Sequence, residues 1–241
     1  MAGYCNKILR VNLTNQTSSE ETLDPKMCLD FLGGRGFGIK MFYDEVAPGI
    51  DPLGPDNKLM FFAGPLAGTQ AQSFGRWKVF FKSPLTGGHF RSSGGGHLAA
   101  EMKFAGYDGI IIEGKSEKPV YLWIKDGKCQ FRDADYLIGL NCSDTHTLIR
   151  EELKDMRIRV ACTGPAGDNL VKYAGIFSDR RTAARGGGGA GGPSVGVYCG
   201  GSSQPHLDDI STSEIGPGGL GGESSGGAGV QGAQGGVLDC Q

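Results

Sequence analysis

Short apolar runs, rich in β-branched and aromatic residues, recur along the chain between turn signals. Such runs are typical of β-strands. They span Ile8–Leu13, Leu59–Ala63, Trp77–Lys82, Gly109–Glu113, Val120–Lys125, Gln130–Arg132, Ile158–Cys162 and Lys172–Ile176. Asp126-Gly127 lies between two of these runs and predicts a tight hairpin turn.

Helical spacing is less frequent. Asp24-Pro25 predicts a capped helix running to Leu32, and apolar residues with helical spacing predict a second helix over Phe37–Val46. Further helices are expected over His97–Phe104, closed by Gly106, and over Thr145–Leu153, capped by Ser143. Strands and helices do not alternate regularly. The pattern therefore predicts a β-rich α+β fold, with layered sheets and short helices at the periphery.

Composition changes sharply near residue 190. Residues 1–190 have the composition of a globular domain, whereas residues 191–241 are rich in glycine, acidic, and contain no Lys or Arg. Because this tail has few large apolar residues to offset its ordering entropy, we expect it to be disordered. The sequence thus predicts two parts, a domain over 1–190 and a glycine-rich low-complexity tail over 191–241.

Bulk properties exclude several classes of protein. The formal net charge of −2 does not indicate binding to nucleic acid or to an anionic membrane, and no apolar run is long enough to span a bilayer. The first residues do not resemble a signal peptide, so we expect a cytoplasmic protein with reduced thiols. The seven cysteines form no C-x-x-C pair and the four histidines have no metal-ligand spacing. A metal site built from these side chains alone is therefore not expected.

Candidate chemistry lies in four glycine-centred loops. Glycine allows the backbone to approach a flat or anionic ligand closely, although the same loops are also consistent with simple tight turns. Arg35, Arg76 and Arg185 lie beside these loops and favour an anionic organic cofactor. The loops are Gly33–Gly38, Gly64–Thr69, Ser92–Gly96 and Ala183–Gly187.

A nucleotide-binding enzyme is an alternative. Gly94-Gly95-Gly96-His97-Leu98-Ala99 fits the G-x-G-x-x-A fingerprint, and Glu113 follows at about the expected distance of ~20 residues. The fingerprint requires a strand directly before the glycines, however. Ser83–Ser93 is rich in Pro, Gly, Ser and Thr and does not predict one.

Taken together, the loops resemble the N-terminal domain of the tungsten-containing aldehyde:ferredoxin oxidoreductase family. The similarity follows the order of the family across residues 4–190, which makes it more specific than any single loop. It is carried by Tyr4–Leu13, Phe31–Gly36, Asp51–Leu53, Gly64–Thr69, Gly75–Gly87, Glu101–Lys115, Gly164–Leu170 and Asp179–Gly187.

The resemblance implies a two-sheet domain that forms the base under two pterins. In this family the pterins hold tungsten, or molybdenum, and a magnesium ion bridges their phosphates. Members oxidise aldehydes to carboxylates and pass electrons through a [4Fe-4S] cluster to ferredoxin. The family's cluster ligands and substrate pocket come from later domains, so no catalytic residue is assigned in this chain.

Residue roles are implied position by position. Arg76 matches the family arginine between a pterin and the cluster. Ser93 stands where the family often has Asn and would offer its backbone carbonyl to magnesium. Gly94 and Gly95 match the glycines that approach the cofactor.

The second phosphate-binding loop is matched by Thr182, Ala183, Ala184 and Arg185, with Ala183 as the other carbonyl donor to magnesium. A glycine that some relatives have between the alanines and the arginine is absent here. The register of this loop is therefore open by one residue.

After Ala190 the chain departs from the family pattern, and we interpret the change as a truncation or frameshift. The leading expectation is a pterin-binding oxidoreductase domain that is inactive alone. The alternative is a non-catalytic pterin-binding fragment, or a subunit that needs a partner chain. Ferredoxin and an aldehyde are the partners that the family implies, and a homodimer or a separate subunit carrying the missing domains is also possible.

Overall fold

The computed structural model describes residues 3–179, 182–184 and 196–200, with the backbone alone for 182 and 196–200. Among them are two six-stranded sheets and five α-helices. This architecture confirms the expected β-rich α+β class with layered sheets.

The first sheet contains β1 (Lys7–Asn12), β2 (Thr17–Thr22), β3 (Leu59–Ala63), β4 (Trp77–Lys82), β5 (His89–Gly94) and β6 (Gly109–Glu113). Their spatial order is β2-β1-β6-β3-β4-β5. Only the central β1–β6 pair is parallel, and the other neighbours are antiparallel. β5 therefore lies at one edge of the sheet, hydrogen-bonded to β4.

The second sheet contains β7 (Val120–Lys125), β8 (Lys128–Asp133), β9 (Arg159–Cys162), β10 (Ile176–Ser178), β11 (Thr182–Ala184) and β12 (Gly196–Gly200). Their spatial order is β11-β10-β9-β12-β7-β8. Asp126 and Gly127 join β7 to β8 with φ angles of 48° and 74°, which confirms the predicted hairpin turn.

The helices are α1 (Pro25–Phe31), α2 (Arg35–Glu45), α3 (Leu98–Phe104), α4 (Cys142–Leu153) and α5 (Pro165–Asp168), with a 3₁₀ turn at Asp135–Leu137. Asp24 caps α1 as predicted, because its carboxylate accepts from the Lys26 amide. Gly106 follows α3 with a φ of 101°, as expected of a C-terminal glycine. α4 begins earlier than predicted and is capped by Asn141 instead of Ser143.

The core forms on both faces of the first sheet. Its inner face packs against the second sheet and α3, in a cluster that includes Phe61, Trp77 and Leu122. Its outer face is covered by α1 and α2, with Phe37 and Phe80 fully buried. Because side chains alternate along a strand, the four central strands β1, β3, β4 and β6 each contribute to both clusters.

α2 lies unusually close to the first sheet. A Cβ atom at Gly38 would be only 2.0 Å from the ring of Phe80 on β4, so only glycine permits this approach. The close packing holds the N-terminal end of α2 over β4.

Several strands differ from expectation. β2, β5 and β11 were not predicted, and β10 (Ile176–Ser178) begins at the last residue of the predicted run Lys172–Ile176. β2 reads Thr-Ser-Ser-Glu-Glu-Thr and is almost wholly exposed, whereas β5 reads His-Phe-Arg-Ser-Ser-Gly. Both are edge strands that pair with an apolar neighbour, and such strands need no apolar pattern of their own.

The glycine-rich tail also requires a correction. The expectation of disorder from residue 191 does not hold for Gly196–Gly200, which form β12 between β7 and β9. This segment carries Val197, Tyr198 and Cys199, a short run of strand-forming residues that the average composition of the tail conceals. The other residues of the tail lie outside the described part of the chain.

Candidate functional site

Arg76 and Ser93 lie at the β4–β5 edge of the first sheet. Arg76 directly precedes β4 and is exposed, and Ser93 is the penultimate residue of β5. In the antiparallel register Lys78 is opposite Ser93, and Trp77 is opposite Gly94. The alternation along paired strands places Arg76, Lys78 and Ser93 on the outer face, below α2.

The second predicted loop meets the first. β11, which carries Thr182 and Ala183, contacts β5, which carries Ser93. Ala184 is buried in the same apolar cluster as Trp77. The fold therefore brings together the two segments that the resemblance assigns to cofactor binding, although Ser93 and Thr182 are 89 positions apart in the sequence. Arg185 lies outside the described residues.

Gly94 and Gly95 are fixed by a tryptophan. A Cβ atom at Gly94 would lie 2.2 Å from the Trp77 ring, so the ring can pack there only because residue 94 is glycine. The indole Nε1 of Trp77 donates to the Gly95 carbonyl at 3.0 Å. Packing against Trp77 thus explains the glycine at position 94, and contact of these residues with a ligand stays a prediction.

A carboxylate connects the two segments. Asp179, just before β11, accepts a hydrogen bond from the His97 amide at 2.8 Å through its Oδ2. Its Oδ1 lies 3.6 Å from Nε of Arg159 on β9. Asp179 adopts a φ of 51°, which is uncommon for a non-glycine residue. These contacts hold the chain that enters β11 against the loop that follows β5.

Basic residues converge on the outer face at this edge. Lys78 donates to the Ser93 hydroxyl at 2.6 Å. Burial lowers the pKa of the Lys78 ammonium, and the charges of three nearby arginines lower it further. No ion pair of these four residues is found within the described part of the chain. We refer to the following four residues as the cation cluster: Arg35, Arg76, Lys78 and Arg91.

Sequence reasoning identified Arg35 and Arg76 beside glycine loops but missed Lys78 and Arg91. Arg91 lies on β5 opposite Phe80, so it shares the outer face with Lys78 and Ser93. The signal that would have revealed both is the spacing of two along each strand, at 76 and 78 and at 91 and 93. That signal can be used only when β5 is recognised as a strand.

The topology does not support the dinucleotide fingerprint. A strand does precede Gly94-Gly95-Gly96, so the expectation that this strand is missing is wrong. β5 is nevertheless separated from β6 by β3 and β4 and runs antiparallel to it through three antiparallel pairings. A dinucleotide-binding unit requires two parallel strands joined by the helix, and β5–α3–β6 is not such a unit.

Across 3–179 and 182–184, no three His, Cys, Asp or Glu side chains are placed to hold a metal ion. Nor is any helix of the described residues long and apolar enough to cross a membrane.

Comparison with known families decides the relationship. Residues 8–193 match the family described as aldehyde ferredoxin oxidoreductase, N-terminal domain. The chain belongs to this family. It is 48% identical over 191 residues to the tungsten-containing aldehyde ferredoxin oxidoreductase of Pyrococcus abyssi, a match that covers 79% of the chain but 32% of that relative. The chain therefore spans about a third of the length of the aldehyde ferredoxin oxidoreductases that it matches.

More distant relatives carry different names. The chain is 33% identical over 203 residues to the aliphatic sulfonate oxidoreductase, WOR-like subunit, of Pyrococcus furiosus, covering 78% of the chain and 32% of that relative. A solved structure of the active site complex BamBC of benzoyl coenzyme A reductase, in complex with 1,5-dienoyl-CoA, matches with a TM-score of 0.80 and 38% identity. That match covers 83% of the chain and 31% of the solved chain. The aldehyde ferredoxin oxidoreductase N-terminal fold thus occurs in oxidoreductases whose names give different substrates.

Proposed function

We propose that this chain forms the pterin-binding base of a tungsten-containing aldehyde:ferredoxin oxidoreductase. The observation that carries the proposal is the contact between β5 and β11 within the family-matched region, where β4 and β5, with the residue directly before β4, also carry three residues of the cation cluster. Since the relatives differ in named substrate but share this fold, cofactor binding is the function that best accounts for its common occurrence.

The residues present fit such a ligand. A pterin with a phosphate group is planar and anionic, and guanidinium groups can contact both a ring edge and phosphate oxygens. Arg76 is exposed beside Ser93, so its side chain is accessible to a ligand on the outer face. We assign pterin contacts to Arg76 and to the backbone of Gly94, Gly95 and Thr182.

The remaining assignments follow the family positions. Ala184 and Arg185 complete the second phosphate-binding segment. The backbone carbonyls of Ser93 and Ala183 would hold a magnesium ion between the two phosphates, and their strands are in contact as that role requires. Bound tungsten, or molybdenum, would supply the two-electron chemistry. The protein described here contributes binding and orientation.

Arg76 provides the direct test. The 241-residue chain, produced in cells supplied with tungstate, is purified together with an Arg76→Lys variant and an Arg157→Lys control. Arg157 is exposed, lies outside the cation cluster and forms an ion pair with Asp155. Because lysine cannot reproduce a planar bidentate contact, we expect Arg76→Lys to lower pterin and tungsten content severalfold while folding is retained. Equal pterin content in all three proteins would refute the role of Arg76.

The complete reaction requires more than these residues. In the family, electrons leave through a [4Fe-4S] cluster to ferredoxin, and the described residues contain no group of cluster ligands. We therefore expect no aldehyde oxidation by the chain alone, in an anaerobic assay with several aldehydes and a viologen dye. Turnover above a metal-free control would contradict this expectation. Tungsten and pterin without iron would favour the alternative, a pterin-binding fragment or subunit completed by a partner chain.

A further inference from the structure

The cation cluster contains three positively charged residues besides Arg76. Lys78 and Arg91 lie on adjacent strands and share the outer face of the first sheet, because each is separated by two positions from Arg76 or Ser93. The close approach of α2 at Gly38 brings Arg35, the first residue of that helix, towards them. Two strands and one helix thus contribute cations to a single surface.

Other basic residues on the same face have acceptors. Arg10 forms hydrogen bonds with Glu21 and Glu45, and Lys58 forms ion pairs with Glu45 and Glu113. The ammonium of Lys82 donates to a backbone carbonyl, that of Ile50. In the cation cluster the acceptor found is the neutral Ser93 hydroxyl, among the described residues. Unneutralised charge is therefore specific to the β4–β5 edge and does not extend over the whole face.

Lys78 is held in place for contact with a ligand. It is half-buried, and its 2.6 Å hydrogen bond to Ser93 uses one of the three ammonium protons. Its pKa is lowered by burial first and then by Arg91, Arg76 and Arg35, and no carboxylate is among these influences. An anion bound here would remove the repulsion among the four cations.

We infer that Lys78, Arg91 and Arg35 bind the phosphate group of an organic phosphate monoester, next to Arg76. A phosphate monoester carries close to two negative charges and three acceptor oxygens, which suits several converging cations better than a single carboxylate does. The inference rests on the proposed function, in which the monoester is that of the pterin. It adds three residues, Lys78, Arg91 and Arg35, to which the proposed function gives no role.

Binding to the purified 241-residue chain tests the inference. Isothermal titration is performed with inorganic phosphate, a pterin phosphate monoester and the same pterin without phosphate. We expect the monoester to bind more tightly than the phosphate-free pterin. Lys78→Gln and Arg91→Gln should each weaken binding of the monoester about tenfold, the effect of one charge-assisted hydrogen bond, without changing the affinity for phosphate-free pterin.

Two controls separate loss of charge from loss of structure. Lys128→Gln removes an exposed charge from β8, in the other sheet, and should leave every affinity unchanged. Lys78→Arg keeps the charge and should retain affinity within about threefold. Urea unfolding of each variant identifies any that fails to fold. If Lys78→Gln fails to fold, Lys78→Arg provides the comparison at that position.

The outcomes distinguish this inference from the proposed function. Equal affinity for the two pterins, or unchanged monoester affinity in Lys78→Gln and Arg91→Gln, would overturn the phosphate site while leaving pterin binding in place. Binding of inorganic phosphate that both variants weaken, without binding of either pterin, would support the phosphate site and remove support from the proposed function. Tighter binding of the monoester than of inorganic phosphate identifies the pterin as the source of the phosphate.

Discussion

The two ends of α2 lie over the same face of the first sheet, but the charged residue at one end has ion-pair partners and the charged residue at the other end has none among the described residues. At the C-terminal end, Glu45 accepts two hydrogen bonds of 2.6 Å from Arg10 and one of 2.8 Å from Lys58. At the N-terminal end, Arg35 joins three other cations, with no ion pair among the described residues. We call these regions the paired end and the open end.

Both ends oppose the helix dipole. An acidic residue is unfavourable at a helix C-terminus, and a basic residue is unfavourable at the N-terminus. The paired end compensates Glu45 with two cations inside the protein, whereas the open end leaves the charge uncompensated. The difference indicates that the paired end serves stability and that the open end is adapted to an external anion.

Removing the carboxylate at the paired end should produce the largest loss of stability. Glu45→Gln removes the carboxylate shared by Arg10 and Lys58, whose side chains are 23% and 18% exposed. It leaves them with Glu21 and Glu113. We expect the free energy of unfolding to fall by about 2 kcal/mol, less than for a fully buried pair because some solvent remains. Arg35→Gln at the open end should change it by less than about 0.5 kcal/mol. Urea titration at pH 7 measures both, and equal losses would remove the distinction between the two ends.

Acid should weaken the paired end next. Burial of the Glu45 carboxyl tends to raise its pKa, but hydrogen bonds from Arg10 and Lys58 outweigh burial and bring the pKa below the ordinary value of 4.5. The carboxylate therefore contributes stability above pH ~4.5, and this contribution is lost as pH falls through the lower pKa of the folded state.

The pH dependence can be measured by comparing two proteins. Wild-type protein and Glu45→Gln should differ most at neutral pH, and the difference should shrink as the pH falls below about 4.5. Urea unfolding at intervals between pH 3 and pH 7 gives the difference directly. A difference that does not vary with pH would mean that Glu45 acts through packing and not through its charge.

Much of the fold could be predicted because its central strands carry their own pattern. Trp77–Lys82 and Gly109–Glu113 are apolar runs whose observed bounds agree with those predicted. β5 could not be predicted, because its pairing with β4 stabilises a segment that in isolation has the composition of a loop. The same reason accounts for β12, because pairing with both β7 and β9 stabilises a short segment of a glycine-rich chain as a strand.

The candidate site was predictable only in part. Arg76 and Ser93 were named from the family resemblance, and the fold places them on the same face of the first sheet, with β5 in contact with β11. Lys78 and Arg91 were missed because their proximity depends on the register between β4 and β5. Local sequence cannot provide a register between two strands when one of them is not recognised.

The smallest expected effect is at the open end, where the stability difference between Lys78→Gln and wild type should depend on salt. Burial and the three arginines lower the pKa of Lys78, so its charged form is disfavoured in the folded state. Lys78→Gln removes the charge on which the three arginines act, while the glutamine amide can still contact the Ser93 hydroxyl. We therefore expect the variant to be more stable than wild type by about 0.5 kcal/mol at low ionic strength, in contrast to Glu45→Gln.

Urea unfolding at 10 mM and 1 M sodium chloride provides the measurement, because the Debye length falls to about 3 Å at the higher concentration. The gain from Lys78→Gln should disappear in high salt as the repulsion is screened. Lys128→Gln on β8, outside the cation cluster, should show no comparable salt-dependent gain. If Lys78→Gln were instead destabilising at low salt, the Lys78–Ser93 contact would be a stabilising contact of the fold. The open end would then resemble the paired end, and the distinction between binding and stability would not hold.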